Sequence, residues 1–179
     1  MSVQEQCDKK TCLIINSSTI ITLSELNKLD LIGRLSRKFH IIIPKAVIRE
    51  LSKNSRISSS IAAYAVELAI DKSISKDLQS SLEGLGEGEK EVLVMAYAIN
   101  RSGGGLRAIA VIDERVARRK AKALGILVTG LLGLIICSKK ASVLSLDEAM
   151  WMLNQLPNTS LYVTRDLIEK AKLELMKTS

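Results

Sequence analysis

The sequence has few aromatic side chains, a single histidine and only two prolines among its 179 residues. Phe, Trp and Tyr together make up 3% of the chain, whereas hydrophobic residues of all kinds make up 47%. The core therefore has to consist mainly of Ile, Leu, Val and Ala, as is typical of parallel strands covered by helices on both faces. The length suits one domain, since domains commonly contain roughly 100–200 residues.

Clustered cysteine and histidine residues are also absent. Cys7, Cys12 and Cys137 are widely spaced without a CxxC pair, and His40 is the lone histidine, which excludes a Cys/His zinc cluster. We expect reduced, packed thiols of a cytoplasmic protein. The polar first eleven residues predict no signal peptide. The longest uncharged run, 123–138, is shorter than the roughly 20 residues of a spanning helix, so we expect no membrane association.

Charge of one sign predominates, with a net charge of +7 and a pI of about 9.4. A basic surface favours polyanions because binding releases their counterions, which makes nucleic acid the first partner class to consider. A Lys-rich surface that keeps the protein in solution explains the charge equally well.

Short apolar runs alternate with helical patterns along the chain. Strands are predicted at 11–16, 40–43, 108–112 and 126–129. Helices are predicted between and after them, at 29–37, 58–70, 87–100, 114–124, 130–137, 146–156 and 163–176, with 71–83 irregular or briefly helical. This alternation predicts an α/β fold, in which a parallel sheet carries helices on both faces within a single domain spanning 1–179.

Polar residues directly follow the predicted strands. In open parallel sheets ligands bind beyond the carboxyl ends of the strands, which points to Asn16, Ser17, Ser18, Glu50, Asp113, Glu114 and Thr129, with Glu87, Glu89 and Glu91 from a helix start. Several carboxylates in one crevice raise each other's pKa unless a cation neutralises them. Mg²⁺ or Mn²⁺ prefers such oxygen ligands and can promote phosphodiester hydrolysis.

Four segments together resemble the PIN-domain ribonuclease family. They are LIINSSTIITLSELNKLDLIGRL, HIIIPKAVIRELSK, GEGEKEVLVMAYAI and VIDERVARRKAKALGILVTGLLGLI, in that order over about residues 11–140. The resemblance implies a three-layer α/β/α sandwich with a central parallel sheet of four or five strands. It assigns the core to 11–140 and the closing helices to 145–176.

The resemblance further implies a Mg²⁺- or Mn²⁺-dependent endoribonuclease, often the toxin of a toxin–antitoxin pair. Asn16 occupies the first acidic position of the family pattern and Glu50 the second. Glu91 takes the third, with Glu89 as its nearby rival, and Asp113 takes the fourth, with Glu114 adjacent. Glu50, Glu91 and Asp113 are thus the candidate catalytic residues, although each glutamate alone also suits an exposed helix position.

Asn16 is where the chain departs from this pattern. Asn offers a carbonyl oxygen as Asp does, but it carries no charge, so it should bind a divalent cation more weakly. We therefore expect a weakened nuclease. The alternative is an inactive module with the same fold that binds RNA or a protein without cleavage.

Contacts to RNA are predicted at Ser17, Arg115, Arg118 and Thr129. Arg115 and Arg118 share a helical face with Arg119 and Lys122, and this face suits phosphate binding or simple solvation near a helix C-terminus. A response-regulator receiver is disfavoured because an acidic pair would follow its first strand, where Asn-Ser-Ser stands here. Residues 20–35 are a candidate surface for a homodimer or an antitoxin, although the same apolar stripe suits the domain's own core.

Overall fold

The computed structural model describes residues 10–66 and 76–177. The strands are β1 (Thr11–Ile15), β2 (His40–Pro44), β3 (Ala65–Val66), β4 (Arg107–Val111) and β5 (Val128–Thr129). The helices are α1 (Ser17–Glu25), α2 (Asp30–Leu35), α3 (Lys45–Leu51), α4 (Ser55–Ile61), α5 (Lys76–Ser81), α6 (Glu87–Arg101), α7 (Arg115–Ala123), α8 (Leu131–Lys140), α9 (Leu146–Gln155) and α10 (Arg165–Lys177). Side chains of 76 and 77 are not described.

The five strands form one all-parallel sheet in the order β3-β2-β1-β4-β5. Every residue of β1 is buried, and Ile14 lies between Ile42 of β2 and Ala110 of β4. The chain leaves β1 toward β2 on one side and reaches β4 on the other, so the strand order reverses at the β1–β4 edge. A crevice forms at the carboxyl ends of such a pair of strands.

Helices cover the sheet in the three-layer α/β/α arrangement that the sequence predicted. The inward face of α6 is buried through Val92, Leu93 and Met95, as expected for a helix that packs on β1 and β4. Residues 20–35 serve the domain's own core, since Ile20, Leu23, Leu31, Ile32 and Leu35 are all buried. Within the described residues, no helix has the length and hydrophobicity needed to span a membrane.

The predicted strands at 11–16, 40–43 and 108–112 are confirmed to within one residue, whereas 126–129 shortens to β5. The prediction of a helix over 58–70 is wrong in part. Helix α4 ends at Ile61, a 3₁₀ turn covers 62–64, and β3 follows, while 67–70 lie outside the described residues. Ser58, Ser59 and Ser60 donate to backbone carbonyls one turn earlier, which competes with regular helix formation.

Strand β3 gave no signal in the sequence because both of its residues are exposed at the sheet edge. Of the segment 71–83, residues 71–75 lie outside the described part, and α5 is the short helix predicted there.

The cysteines differ from one another. Cys12 is free and buried in β1, and burial raises its pKa to about 11, so the thiol stays protonated at neutral pH. Cys137 on α8 is disulfide-bonded, and Cys7 lies outside the described residues. The expectation that all cysteines are reduced is therefore wrong for Cys137, since spacing along the chain cannot show which residues folding brings together.

Candidate functional site

A cavity of about 1270 Å³ opens at the carboxyl ends of β1, β4 and β5. Its wall contains most of the residues predicted from the sequence, namely Asn16, Ser17, Glu50, Glu89, Asp113, Glu114, Arg115, Arg118 and Thr129. Glu91 is not part of that wall. Folding thus gathers side chains from four distant segments around one space.

Asn16 lies between β1 and α1 and is buried, with 3% of its surface exposed. Its backbone N–H donates to the carbonyl of Val111 (3.1 Å), which ties it to β4. Its Oδ1 accepts from the backbone N–H of Ser17 and from the Ser17 hydroxyl (3.0 Å). Its Nδ2 donates toward the Ser18 hydroxyl (3.4 Å). Asn16 therefore caps α1 with its oxygen and offers N–H donors where Asp would offer a second oxygen.

Asp113 follows β4 and holds the start of α8. Its Oδ1 accepts from the Leu131 N–H (2.9 Å), and its Oδ2 accepts from the Thr19 hydroxyl (3.0 Å). Burial raises the pKa of Asp113, while the Leu131 N–H, the Thr19 hydroxyl and the charge of Arg118 oppose that shift. Gly130 permits this approach, since a Cβ there would lie 2.4 Å from Oδ1.

Glu50 reaches from α3 to the first turn of α6. Its Oε1 accepts from the Gly88 N–H (2.9 Å), and a Cβ on Gly88 would lie 2.7 Å from both carboxylate oxygens. The partial positive charge of a helix N-terminus favours a carboxylate at this place. Gly88 thus permits the close approach of Glu50 in the same way that Gly130 permits that of Asp113.

Glu89 is the acidic side chain that α6 contributes to the cavity. Its Oε2 accepts from the Gly86 N–H (3.1 Å). Burial is the largest cause of its raised pKa, the Gly86 hydrogen bond opposes the shift, and the charges of Glu114 and Glu50 add to it. The charges of Glu50 and Glu114 therefore act on Glu89 across the cavity.

Glu91 lies on a different side of α6. Its carboxylate accepts from the Ala46 N–H (2.9 Å) at the start of α3 and from Arg49 Nη2 (3.3 Å). Two residues along a helix correspond to about 200° of rotation, so Glu89 and Glu91 cannot face the same space. Met95, one turn along α6 from Glu91, is buried in the core.

The basic residues of α7 that were predicted near RNA differ in their positions relative to the cavity. Arg115 is exposed at the cavity wall, whereas Arg118 donates from Nη1 to the Ile112 carbonyl (3.0 Å) beside Asp113. Arg119 and Lys122 do not line the cavity. Glu114 caps its own helix by accepting from the Ala117 N–H (2.8 Å).

The oxygen atoms around the cavity belong to carboxylates, amides and hydroxyls, which are the types of ligand that a hard divalent cation prefers. Across the described part of the chain, however, no three His, Cys, Asp or Glu side chains form a group that could hold a metal ion. Asp113 and Glu50 are directed to the N-termini of α8 and α6, and Glu114 to its own helix. A cation would have to draw some of these carboxylates away from those N–H groups.

Sequence reasoning missed the C-terminal part of the wall. Ser160, Leu161, Tyr162, Val163, Thr164, Leu167, Lys170, Ala171 and Glu174 line the cavity together with Ile21 of α1. The strand-end rule could not find them, since they follow no strand. Glu25 fixes this segment by accepting from the Ser160 N–H (2.9 Å) and hydroxyl (3.0 Å).

A family model described as DUF3368, PIN domain, matches residues 12–177, which is nearly the whole chain. No curated protein and no solved structure matches the chain.

Proposed function

Because the chain belongs to the PIN-domain family, we propose that it is a divalent-metal-dependent ribonuclease whose active site is the cavity beside β1 and β4. The family has a nuclease-type fold, and its members generally depend on a divalent metal. The observation that carries the proposal is the position of Glu50, Glu89 and Glu114 on the wall of one cavity, where burial and the charges of Glu114 and Glu50 raise the pKa of Glu89. Within residues 10–66 and 76–177, none of these three carboxylates forms an ion pair with Lys or Arg.

A bound cation would stabilise such a set of carboxylates, because it would offset the repulsion between like charges that lie close together. Glu50, Glu89, Glu114 and Asp113 are the residues that would hold Mg²⁺ or Mn²⁺. When bound, the cation would activate water and stabilise the leaving oxygen of a phosphodiester.

The remaining polar residues of the wall bind and orient the RNA in this proposal. Arg115, exposed at the wall, binds a phosphate oxygen by a charge-assisted hydrogen bond. The positive charge of Arg118, which already acts on Asp113, reduces the repulsion between that carboxylate and an incoming phosphate. The hydroxyls of Ser17 and Thr129, at the carboxyl ends of β1 and β5, contribute polar oxygens that hydrogen bond with water around the phosphate. An antitoxin would regulate the same cavity by inserting a basic side chain among the carboxylates.

Two glutamates on the same helix provide the test. We expect Glu89→Gln to abolish Mn²⁺-stimulated cleavage of a single-stranded RNA, because the charge is lost from the cavity. Glu91→Gln is the matched control, since it removes the same charge from a glutamate two residues further along the helix. The Glu91 carboxylate contacts the start of α3 instead of the cavity. Equal activity of the two variants, or greater loss in Glu91→Gln, would contradict this site.

A second candidate function is an RNA-binding module that does not cleave. Asn16 favours it, since the side chain has no charge and its oxygen is already used to cap α1. Replacement of Asn16 by Asp separates the two functions. Under the ribonuclease proposal the parent cleaves RNA slowly and the variant faster, whereas a parent that binds RNA without any metal-stimulated cleavage supports the second.

A further inference from the structure

The cavity has an apolar part that the proposed hydrolysis does not use. Ile21 of α1, Leu132 and Ile136 of α8, and Leu161, Tyr162 and Leu167 of the C-terminal segment line it. The same cavity therefore presents carboxylates and arginines in one part of its wall and hydrocarbon in another. A ligand with a charged or polar group and a flat or apolar group would match both parts of the wall.

Tyr162 is the most prominent side chain of this apolar part. It is 92% exposed, more than any other large hydrophobic residue that the structure describes, in a chain with three Tyr, one Trp and one Phe. Leaving such a ring in water forgoes about 1.5–3 kcal/mol of burial free energy. Its neighbours Leu161 and Val163 are half-buried against the core, so the ring extends from a backbone that is held on both sides.

The segment that carries Tyr162 is fixed before any ligand arrives. Ser160 donates two hydrogen bonds to Glu25, and the Leu161 N–H donates to the Thr159 hydroxyl (3.4 Å). A binding surface that is ordered in advance loses less conformational entropy when it binds. Tyr162 is therefore presented at the cavity wall by an ordered stretch of backbone.

On the basis of the proposed function, we propose that Tyr162 stacks on a nucleobase of single-stranded RNA beside the phosphate that faces the carboxylates. Every base has a π-face, and stacking on aromatic side chains is a general means of binding single strands. Bases in a duplex are already paired and stacked, so only an unpaired nucleotide can turn its base onto this ring. The net charge of +7 and the cavity cations Arg115 and Lys170 complement the backbone.

The test measures binding apart from cleavage. Fluorescence anisotropy of a short labelled single-stranded RNA is recorded with Ca²⁺ in place of Mn²⁺, and the RNA is checked for integrity afterwards. We expect Tyr162→Ala to weaken binding about 5- to 150-fold, the range for loss of one stacked base, and Tyr162→Phe to retain it. The salt dependence should not change, because no charge is removed.

The control for an exposed aromatic residue is Trp151→Ala. Trp151 is 44% exposed on α9 outside the cavity, with Lys28 Nζ 5.4 Å from its ring centroid. An RNA with one abasic nucleotide should lose the same affinity as Tyr162→Ala does, and the two losses should not add. Unfolding in urea should show no difference between Tyr162→Ala and the parent, since the ring has no packed neighbours to lose.

Each result decides something. Parent-like RNA binding by Tyr162→Ala overturns the stacking inference and leaves the ribonuclease proposal standing. Equal binding of the parent to single strand and duplex overturns the single-strand preference. A parent that neither binds nor cleaves RNA overturns the ribonuclease proposal itself.

Discussion

Gly130→Ala tests whether the absence of a side chain at the start of α8 is what lets Asp113 reach the helix. Gly130 has φ −125° and ψ −171°, an extended conformation that Ala adopts freely, so backbone strain does not enter. A Cβ there would lie 2.4 Å from Asp113 Oδ1 and 2.9 Å from Arg118 Nη1. Asp113 has a short side chain with few alternatives, so it would have to give up the hydrogen bond from Leu131.

The magnitude follows from that hydrogen bond. Loss of a hydrogen bond to a charged group costs about 1.5–3 kcal/mol, and removal of a glycine from the unfolded chain returns about 0.4–1 kcal/mol. We therefore expect Gly130→Ala to lower the free energy of unfolding by about 1–2 kcal/mol. Urea denaturation followed by circular dichroism measures this value.

Gly33→Ala is the matched control. Gly33 lies inside α2, and a Cβ there would meet only the Tyr64 hydroxyl, at an ordinary 3.5 Å. The same substitution should raise stability there by about 0.5–1 kcal/mol, because Ala favours helix more than Gly does. In an Asp113→Ala background Gly130→Ala should cost almost nothing. A Gly130→Ala protein as stable as the parent would refute the account of Asp113.

The other predictions concern charge. Asn16→Asp should increase Mn²⁺-stimulated RNA cleavage and lower the Mn²⁺ concentration needed for half-maximal activity, as measured in a gel cleavage assay. Hydrogen bonds from Arg34 hold the pKa of Glu148 near 2, below its ordinary 4.5. A carboxylate whose pKa is lowered by folding stabilises the fold at pH values above its ordinary pKa. This contribution should therefore be lost as the pH falls from about 4.5 to 2. Because the pair is partly exposed, urea midpoints should show that Arg34→Met removes only about 1 kcal/mol at pH 6 and less at pH 3. Glu89→Gln should be at least as stable as the parent at pH 7, whereas Glu91→Gln should be about 1 kcal/mol less stable in urea, because its hydrogen bond to the Ala46 N–H is weakened.

Much of the fold could be predicted from the sequence because its signals are local. The run from Cys12 to Ile15 is apolar without interruption, which is the pattern of a strand buried on both faces. Strand β3 could not be predicted in this way, because its two exposed residues have no hydrophobic pattern and depend on pairing with Ile43 and Pro44. The short strand β5 is likewise defined by pairing with Ala110 and Val111 rather than by its own residues.

For the site, the strand-end rule predicted Asn16 and Asp113 but could not choose between Glu89 and Glu91. The choice depends on helix rotation relative to α3, which places Glu91 at the Ala46 N–H and leaves Glu89 at the cavity. The C-terminal wall around Tyr162 depends on a contact between Ser160 and Glu25, 135 residues apart in the chain. Contacts at that separation have no signature in a single sequence.

The cavity carboxylates are not equally informative about function. Asp113 and Glu50 stabilise the fold by accepting N–H groups at the starts of α8 and α6, so their positions have a structural explanation without any ligand. Glu89 differs, because burial and two neighbouring carboxylates raise its pKa, and ionising it at neutral pH therefore costs stability. Gln would keep the hydrogen bond from Gly86 without that cost. We therefore expect the charge of Glu89 to matter more for what binds in the cavity than for the stability of the fold. Cleavage by Glu89→Gln is accordingly a cleaner test of the site's chemistry than cleavage by any Asp113 variant, which would also disturb the start of α8.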